Sequence, residues 1–244
     1  MQDRKLPSFL TFLFLPALFF LVFSACVFFN NRSFRQFTGQ IFRSELAGNT
    51  LNLHYTLKHP ENYGISEAPV TLGSAEPEVL EASGLVLENY QEALRRFPYQ
   101  TLSKTNRLTY DILQLYLQNQ LSGQKFALYA EPLGPTIGTQ AQLPVLLAEY
   151  AFYEDQDITD YLNLLTTIRP YFQSILKFEK KKSEAGFFMS DTTLDRVLAQ
   201  CSSFIQDPDS NYMLEIFQKK LSEYGKLPSS EQNVLVLTHK NLMK

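Results

Sequence analysis

The feature that most constrains this chain is an uninterrupted apolar run near its amino terminus. From Phe9 to Phe29 the chain holds 21 uncharged, mostly apolar residues, with Arg4 and Lys5 ahead of the run and Arg32 behind it. A helix of that length spans about 30 Å, the thickness of the hydrocarbon core of a bilayer. Core helices of soluble proteins are rarely apolar on every side. The run therefore predicts a signal peptide or a membrane anchor over residues 1–32.

Three forms of this segment stay open. An uncleaved signal-anchor is favoured because residues 27–29 continue the apolar run. A lipoprotein signal is the second form, since the small residues Ser24 and Ala25 precede Cys26, which lipid modification would make the mature amino terminus. Ordinary cleavage after small residues is the third. All three predict an extracytoplasmic body, although basic residues on both flanks leave the positive-inside rule undecided.

The charge of the remaining chain argues against a nucleic-acid partner. The whole chain has a net charge of −3, and removing the first 32 residues takes away three of 22 basic and one of 25 acidic residues, which leaves −5. A mildly acidic body offers no electrostatic basis for binding nucleic acid. The one basic run, Lys180 to Lys182, is flanked by Glu179 and Glu184. We interpret it as a solvated helix face.

Residues 33–244 predict a helical domain. Apolar residues recur there at intervals of three and four, and proline, glycine and capping residues divide the segment. We expect helices over 34–57, from Pro77 to Pro98, from Ser103 to Gly123, over 143–152, from Asp157 to Ala185, from Ser190 to Asp207, over 211–224 and from Ser229 onward. Loops are expected over 61–76 and 132–142, with a short extended segment at 126–129. The predicted fold class is all-α.

Three local features of these helices are specific enough to be tested. Asp157 is predicted to cap its helix, because an Asp side chain accepts hydrogen bonds from the free amides of a first turn. Pro170, inside the same helix, removes one backbone hydrogen bond and predicts a kink near Thr166. Ser229 and Gln232 have the spacing of a capping box at the start of the last helix.

The side chains that usually carry catalysis are scarce. The three histidines are His54, His59 and His239, and no His-Glu-x-x-His motif occurs. His54 and His59 would lie about 140° apart on a helix, so each is interpreted as a surface or packed histidine. No Gly-x-Ser-x-Gly turn is present, and Cys201 falls on an apolar stripe typical of a buried structural thiol. We therefore assign no catalytic, cofactor-binding or metal-binding residue.

Two further features were weighed as binding sites. An acidic group consists of Glu149, Glu154, Asp155, Asp157 and Asp160. Helix caps and solvated helix ends explain it better than a cation site does.

The loop over 132–142 is the stronger candidate, because Gly134, Pro135 and Gly138 restrict its backbone. Loops of this kind on a helical scaffold often line binding clefts. We expect this loop, together with the loop over 59–76, to form a peptide-binding cleft.

Several phrases of the sequence together resemble one bacterial family. They are the segment from Asn49 to Leu57, His59-Pro-Glu-Asn-Tyr-Gly-Ile ahead of Thr71-Leu-Gly, the segment from Gly134 to Tyr150, and Asp157-Ile-Thr-Asp-Tyr-Leu-Asn-Leu-Leu. They are similar to the amino-terminal half of the domain-of-unknown-function family 885, over roughly residues 34–244. Members of this family are often exported or lipid-anchored.

The resemblance implies a larger, mostly helical, zincin-like peptidase fold. Its zinc motif, His-Glu-x-x-Pro-Gly-His, belongs to the carboxy-terminal half of the family and does not occur here. We therefore expect the non-catalytic, cleft-forming part of an extracytoplasmic metallopeptidase-like protein, incomplete at its carboxy terminus, with zinc only in a full-length relative. The alternative is a membrane-tethered helical binding or scaffold domain without enzymatic activity.

Overall fold

The structure is a computed structural model that describes residues 8–66, 68–205 and 211–243, and these residues form helices without any β-strand. The predicted all-α class is thereby confirmed. The α-helices of the described residues are α1 (Ser8–Ala47), α2 (Thr50–Thr56), α3 (Pro77–Arg95), α4 (Lys104–Gly123), α5 (Thr139–Glu149), α6 (Asp155–Glu184), α7 (Asp191–Phe204), α8 (Tyr212–Tyr224) and α9 (Ser229–Leu242). Short 3-10 helices cover Pro60–Tyr63, Tyr99–Thr101 and Gln124–Tyr129.

The chain divides into two compact units. The first unit joins the residues up to Phe42 with Gly84–Gln124, and the second joins Arg43–Ser83 with the residues from Lys125 onward. The divisions fall inside α1 and α3, so each of these helices contributes to both units.

The first unit has a small aromatic core around α1. Phe34 is fully buried with Leu94, Leu102 and Leu117, and its ring meets the Phe97 ring edge-on at 5.3 Å between centroids. Edge-to-face packing of this kind stabilises beyond the area that it buries. The part of α1 that follows the apolar run is therefore already a packed element of the unit.

The apolar run forms the exposed first part of α1. Pro16–Ala47 is long and apolar enough to cross a membrane, with a mean hydropathy of 1.4 in its most apolar window. The large side chains from Leu18 to Phe23, and those of Phe28 and Phe29, are all more than half exposed. Because α1 continues without a break past residue 32, the boundary that we expect between anchor and domain lies within a single helix.

The second unit has the larger core. Twelve buried residues from α2, α5, α6 and α8, from the segment ahead of α3 and from the turn between α5 and α6 form one cluster. They are Leu51, Leu72, Leu143, Leu147, Tyr150, Ile158, Tyr161, Leu164, Leu165, Met213, Phe217 and Leu221. The predicted stripe of α6 is confirmed at Ile158, Tyr161 and Leu165, and α6 ends before Gly186, whose φ of +83° suits a residue without a Cβ.

The helix predicted over 34–57 is broken at one point. α1 ends at Ala47 and α2 begins at Thr50, because Asn49 caps the new helix. Its Oδ1 accepts from the Asn52 amide at 3.0 Å, and its Nδ2 donates to the Leu72 carbonyl at 2.9 Å. A residue whose side chain caps a helix start and also bonds to a neighbouring loop outweighs the continuous helical pattern.

The segment around the Gly/Pro loop also differs from the prediction. Residues 124–129 form a 3-10 helix rather than an extended segment, and α5 begins at Thr139 and ends at Glu149 rather than covering 143–152. Gly138 stands at the N-cap, and the amides of Ala141 and Gln142 donate to its carbonyl. The predicted helix end at Asp207 lies outside the described residues.

The start of α9 does not form the predicted capping box. Pro228 stands at the N-cap, and the Gln232 side chain donates to the Leu227 carbonyl at 2.9 Å instead of the N-cap amide. α6 runs through Pro170 as one helix. The kink that we expect near Thr166 stays a prediction.

The prediction that the basic run from Lys180 to Lys182 forms a solvated helix face is wrong at Lys182. Lys182 is 2% exposed, and its Nζ donates to the Glu131 carboxylate at 2.6 Å and to the Ala130 carbonyl at 3.0 Å. Four residues earlier Phe178 is also buried. Positions i and i+4 share a helix face, so the inward face of α6 continues into the lysine run.

Candidate binding cleft

The candidate cleft begins with the attachment of α2 to the segment that precedes α3. The Thr50 amide donates to the Thr71 carbonyl at 2.9 Å, and the Thr71 amide donates to Thr50 Oγ1 at 2.8 Å. Together with the bond from Asn49 to Leu72, these bonds hold the segment ahead of α3 against the start of α2. His54, one turn into α2, is thereby held beside that segment.

His54 packs against the start of α6. Its ring stacks on Tyr150 with 3.7 Å between centroids and 10° between planes, and its Nδ1 lies 3.5 Å from Asp157 Oδ1. The His54 side chain is 9% exposed, and its Nε2 is buried without a hydrogen-bond partner among the described residues. A buried acceptor left unpaired costs about 1–3 kcal/mol, and His239 Nδ1 is a second histidine nitrogen in this state among the described residues.

Asp157 orders the first turn of α6 but does not cap it in the predicted way. The N-cap is Glu154, and Asp157 lies at the third helical position, where its Oδ2 accepts from the amides of Tyr153 at 2.8 Å and Glu154 at 2.9 Å. Burial alone would raise the pKa of Asp157. The contact with His54 and these two amides outweigh it and lower the pKa below its usual value.

These groups line a cleft of about 160 Å³. One wall comes from α2 and the segment after it, and the other from Tyr150 and the first turns of α6. Apolar side chains such as Leu57, Ile65 and Val70 alternate in the lining with charged ones. Because small-molecule sites usually have 300–1,000 Å³, this cleft fits a single side chain or a chain end.

The acidic group predicted around this position has several roles. Asp155 accepts from the Tyr224 hydroxyl at 2.6 Å and Asp160 from the Gln156 amide at 2.8 Å. Glu154, Asp157 and Asp160 also line the cleft. The described residues hold no group of three or more His, Cys, Asp or Glu side chains placed to bind a metal ion, so the donor set here does not fit the zinc that the family resemblance implies for full-length members.

Sequence reasoning missed a second buried titratable cluster. His239 is fully buried, with its ring stacked on Phe217 at 4.5 Å and its Nε2 3.3 Å from the Tyr161 hydroxyl. Burial, and then the charge of Lys220, lower the pKa of His239 to about 4. The Lys220 ammonium donates to the carbonyls of Leu147 and Tyr150, which closes the carboxyl end of α5.

Burial also lowers the pKa of Lys220 to about 8, against the opposing charges of Glu149 and Glu223. The cluster stabilises the packing of α5, α6, α8 and α9, and it explains why a lysine and a histidine lie in the core. Helical spacing alone gave no sign of it, since a charged residue counts as polar in any apolar pattern.

The Gly/Pro loop packs on α7. The Gln200 amide donates to the Pro135 carbonyl at 2.8 Å, and the Gln140 amide donates to the Gly134 carbonyl at 2.6 Å. Gln140 also lines an apolar cavity of about 310 Å³ beside α5, α6 and α7. That Gly134, Pro135 and Gly138 form part of a peptide cleft stays a prediction, whereas residues of the other expected loop, among them Ile65 and Val70, do line the cleft beside His54.

The two cysteines lie in different surroundings. Cys26 is exposed on the apolar part of α1, and its lipid modification stays a prediction. Cys201 is half-buried rather than buried, and it lines the apolar cavity. His59 is exposed on the surface, 3.3 Å from Glu61.

Comparisons with known proteins agree with the helical architecture. A family model described as "Bacterial protein of unknown function (DUF885)" matches residues 62–235. No curated protein matches the chain significantly. A crystal structure from Colwellia psychrerythraea, described as a "putative lipoprotein", matches with a TM-score of 0.70 and 12% identity, and the match covers 88% of this chain and 38% of that one. At this identity the likeness is one of fold, and the chain spans 38% of that protein's length.

Proposed function

The chain belongs to the bacterial DUF885 family of unknown function, and on that premise we propose that it is the membrane-tethered, extracytoplasmic helical part of a metallopeptidase-like protein. In this proposal the cleft beside His54 binds part of a substrate peptide. The zinc motif that the family resemblance implies is absent from these 244 residues. The chain would therefore bind and position the peptide, while the metal chemistry would come from other sequence.

The observation that carries the binding role is the cleft itself. It combines apolar side chains, carboxylates and a buried histidine nitrogen without a donor. A peptide offers both the apolar groups and the N–H donors that such a lining can accept. Its volume of about 160 Å³ suits one residue of a peptide. Proteins commonly recognise extended peptides in this way, with one side chain in each pocket.

The tether is supported by the exposed apolar part of α1, whose large side chains from Leu18 to Phe23, and at Phe28 and Phe29, are more than half exposed. A contiguous apolar surface of this size marks a membrane or protein contact. To test it, the full chain is produced in a bacterial host and spheroplasts are treated with protease. We expect the body to be digested without lysis and α1 to stay in the detergent-extractable fraction. Digestion only after lysis would refute the extracytoplasmic placement.

The fate of Cys26 is settled by mass spectrometry of the same material. A lipidated amino terminus at Cys26, an intact signal-anchor and a cleaved signal each give a different mass. Cys26→Ser is the matched control, because it abolishes lipid modification while leaving the apolar run intact.

Peptide binding is tested by hydrogen exchange of the full chain in detergent micelles, with and without a casein digest. We expect slower exchange in segment 57–70 and at the start of α6 when peptides are present. Ala68→Phe, which adds a ring to the lining of the cleft, should abolish the difference. Unchanged exchange in both segments would refute the binding role and leave the alternative, a tethered scaffold domain.

A further inference from the structure

The cleft beside His54 has an excess of negative charge. Glu61, Glu154, Asp157 and Asp160 line it, and Lys58 is the cation opposed to them among the described lining residues. Asp157 already lies at the positive end of α6, where its carboxylate accepts from the amides of Tyr153 and Glu154, just ahead of the first turn. Glu61 already contacts His59 and Asp160 already accepts from the Gln156 side chain. Each of these carboxylates keeps further acceptor positions, so together they favour a cation and repel an anionic ligand.

His54 supplies a second, independent sign of a ligand. Its side chain is 9% exposed, it lines the cleft, and its Nε2 has no hydrogen-bond partner among the residues that the structure describes. Because Nδ1 faces the Asp157 carboxylate at 3.5 Å, the proton of the neutral ring is favoured on Nδ1. Nε2 is then an unpaired hydrogen-bond acceptor on a residue that lines the cleft.

We propose that the cleft recognises a primary ammonium group on its peptide ligand, either a free amino terminus or a lysine side chain. An ammonium carries three donors and no acceptor, which matches a lining of carboxylates and a histidine acceptor. A metal ion, in contrast, needs several ligands close together, and the described residues hold no group of three or more such ligands. The inference deepens the proposed function and rests on it, since the ligand is taken to be a peptide.

Because the chain contains no tryptophan, peptide binding can be measured through the fluorescence of a tryptophan on the peptide. A blocked pentapeptide that carries one tryptophan is then the sole indole in the sample, and its fluorescence anisotropy reports binding to the full chain in detergent micelles. Three peptides form the arms: one with an internal lysine and blocked termini, one with norleucine in its place, and one with norleucine and a free amino terminus.

We expect the lysine peptide or the free-amino peptide to bind about fivefold or more tightly than the blocked norleucine peptide, with an affinity that falls as salt rises. Binding of the lysine peptide alone identifies a side-chain pocket. Binding of the free-amino peptide alone identifies an amino-terminal pocket.

Variants assign the effect to this cleft. Glu61→Gln combined with Asp160→Asn should weaken the charged peptide by about fivefold, whereas Lys58→Met should strengthen it by about twofold. His54→Phe keeps a ring on Tyr150 but removes the acceptor, and should weaken binding by about fivefold. Glu231→Gln removes one exposed carboxylate of α9, away from the cleft, and should change nothing. Circular dichroism melting confirms that each variant is folded.

Three outcomes overturn the inference, and they differ in what they mean for the proposed function. Equal binding of all three peptides, suppressed by Ala68→Phe, retains the peptide cleft and rejects ammonium recognition. Absence of binding in all three arms rejects both. A charge preference that Glu61→Gln with Asp160→Asn leaves intact places the recognition elsewhere and also rejects the inference.

Discussion

The Nζ atom of Lys182 lies 2.6 Å from Oε1 of Glu131, although the Lys182 side chain is 2% exposed and that of Glu131 is 51% exposed. The lysine charge is therefore buried against one half-exposed carboxylate and the Ala130 carbonyl. Glu179 Oε1 is buried nearby on the same helix, and burial raises the pKa of Glu179 while the Lys182 charge opposes the shift.

Removing the Glu131 carboxylate should therefore weaken the fold. We expect Glu131→Gln to lower the free energy of unfolding by about 1–2 kcal/mol, less than for a fully buried pair because water can reach this carboxylate. Guanidinium unfolding of the detergent-solubilised chain, followed by circular dichroism, measures it. Lys181→Met is the control, since Lys181 and Glu81 are both exposed, and it should change stability by less than about 0.5 kcal/mol. Equal effects of the two variants would contradict this assignment.

The buried His239 predicts a pH dependence of stability. Its pKa is about 4 in the folded chain and about 6.5 in an unfolded one. Between these values the unfolded chain binds the proton and the folded chain does not, so the free energy of unfolding falls as the pH is lowered through this window. The full effect of this one group amounts to about 3 kcal/mol.

Comparison of the chain with His239→Phe over that pH range isolates this contribution. The variant keeps a ring against Phe217 and should show a flatter pH dependence. His59→Gln, at an exposed histidine, should leave the pH dependence of the chain as it is. If His239→Phe has the same slope as the unaltered chain, the histidine is not buried in its neutral form.

Lys220 should be coupled to this titration. Its charge contributes to the lowering of the pKa of His239, after burial. We expect Lys220→Met to raise the pKa of His239, measured by NMR of the ring protons against pH. An unchanged pKa would mean that burial alone accounts for the shift.

The helical architecture could be predicted from the sequence because it depends on local signals. Pro77 begins α3, and Ser103 and Ser190 cap α4 and α7 as expected. The buried faces were less certain. On α4 the leucine and isoleucine side chains of Leu108, Ile112 and Leu115 follow the helical spacing of an apolar stripe, yet each is about 60% exposed, and Leu117 is buried instead. An apolar stripe indicates that a face is able to pack, whereas the partner that covers it is set by tertiary structure.

The cleft was harder to predict because it joins distant residues. His54 on α2 contacts Asp157 on α6, and the histidine ring stacks on Tyr150. The spacing of His54 and His59 gave no sign of this contact, because spacing along one helix says nothing about contacts between helices. The acidic group after Tyr150 was a usable signal, because it contains more carboxylates than one helix start needs.

Asn31 is predicted to anchor α1 to the start of α4. Its Nδ2 donates to the Thr101 carbonyl at 2.9 Å, and its Oδ1 accepts from the Ser103 amide at 2.7 Å and the Asn106 side chain at 2.8 Å. We expect Asn31→Ala to cost about 1–3 kcal/mol and to speed exchange of the Ser103 amide. Asn30→Ala, which removes one bond to Thr101, should cost less. Unchanged exchange at Ser103 would contradict the anchoring role.

Two glycines should respond in opposite ways to the same substitution. Gly138 has an ordinary φ of −66°, but a Cβ there would overlap the backbone nitrogen of Gly134. Gly138→Ala should therefore destabilise the chain by about 1–3 kcal/mol through steric conflict. Gly123, in the last turn of α4, has open space around its Cα, and Gly123→Ala should stabilise by about 0.5–1 kcal/mol because alanine favours the helix. Guanidinium unfolding of both variants measures the pair. A neutral Gly138→Ala would contradict the close approach of Gly134, and a destabilised Gly123→Ala would contradict the open space around that residue.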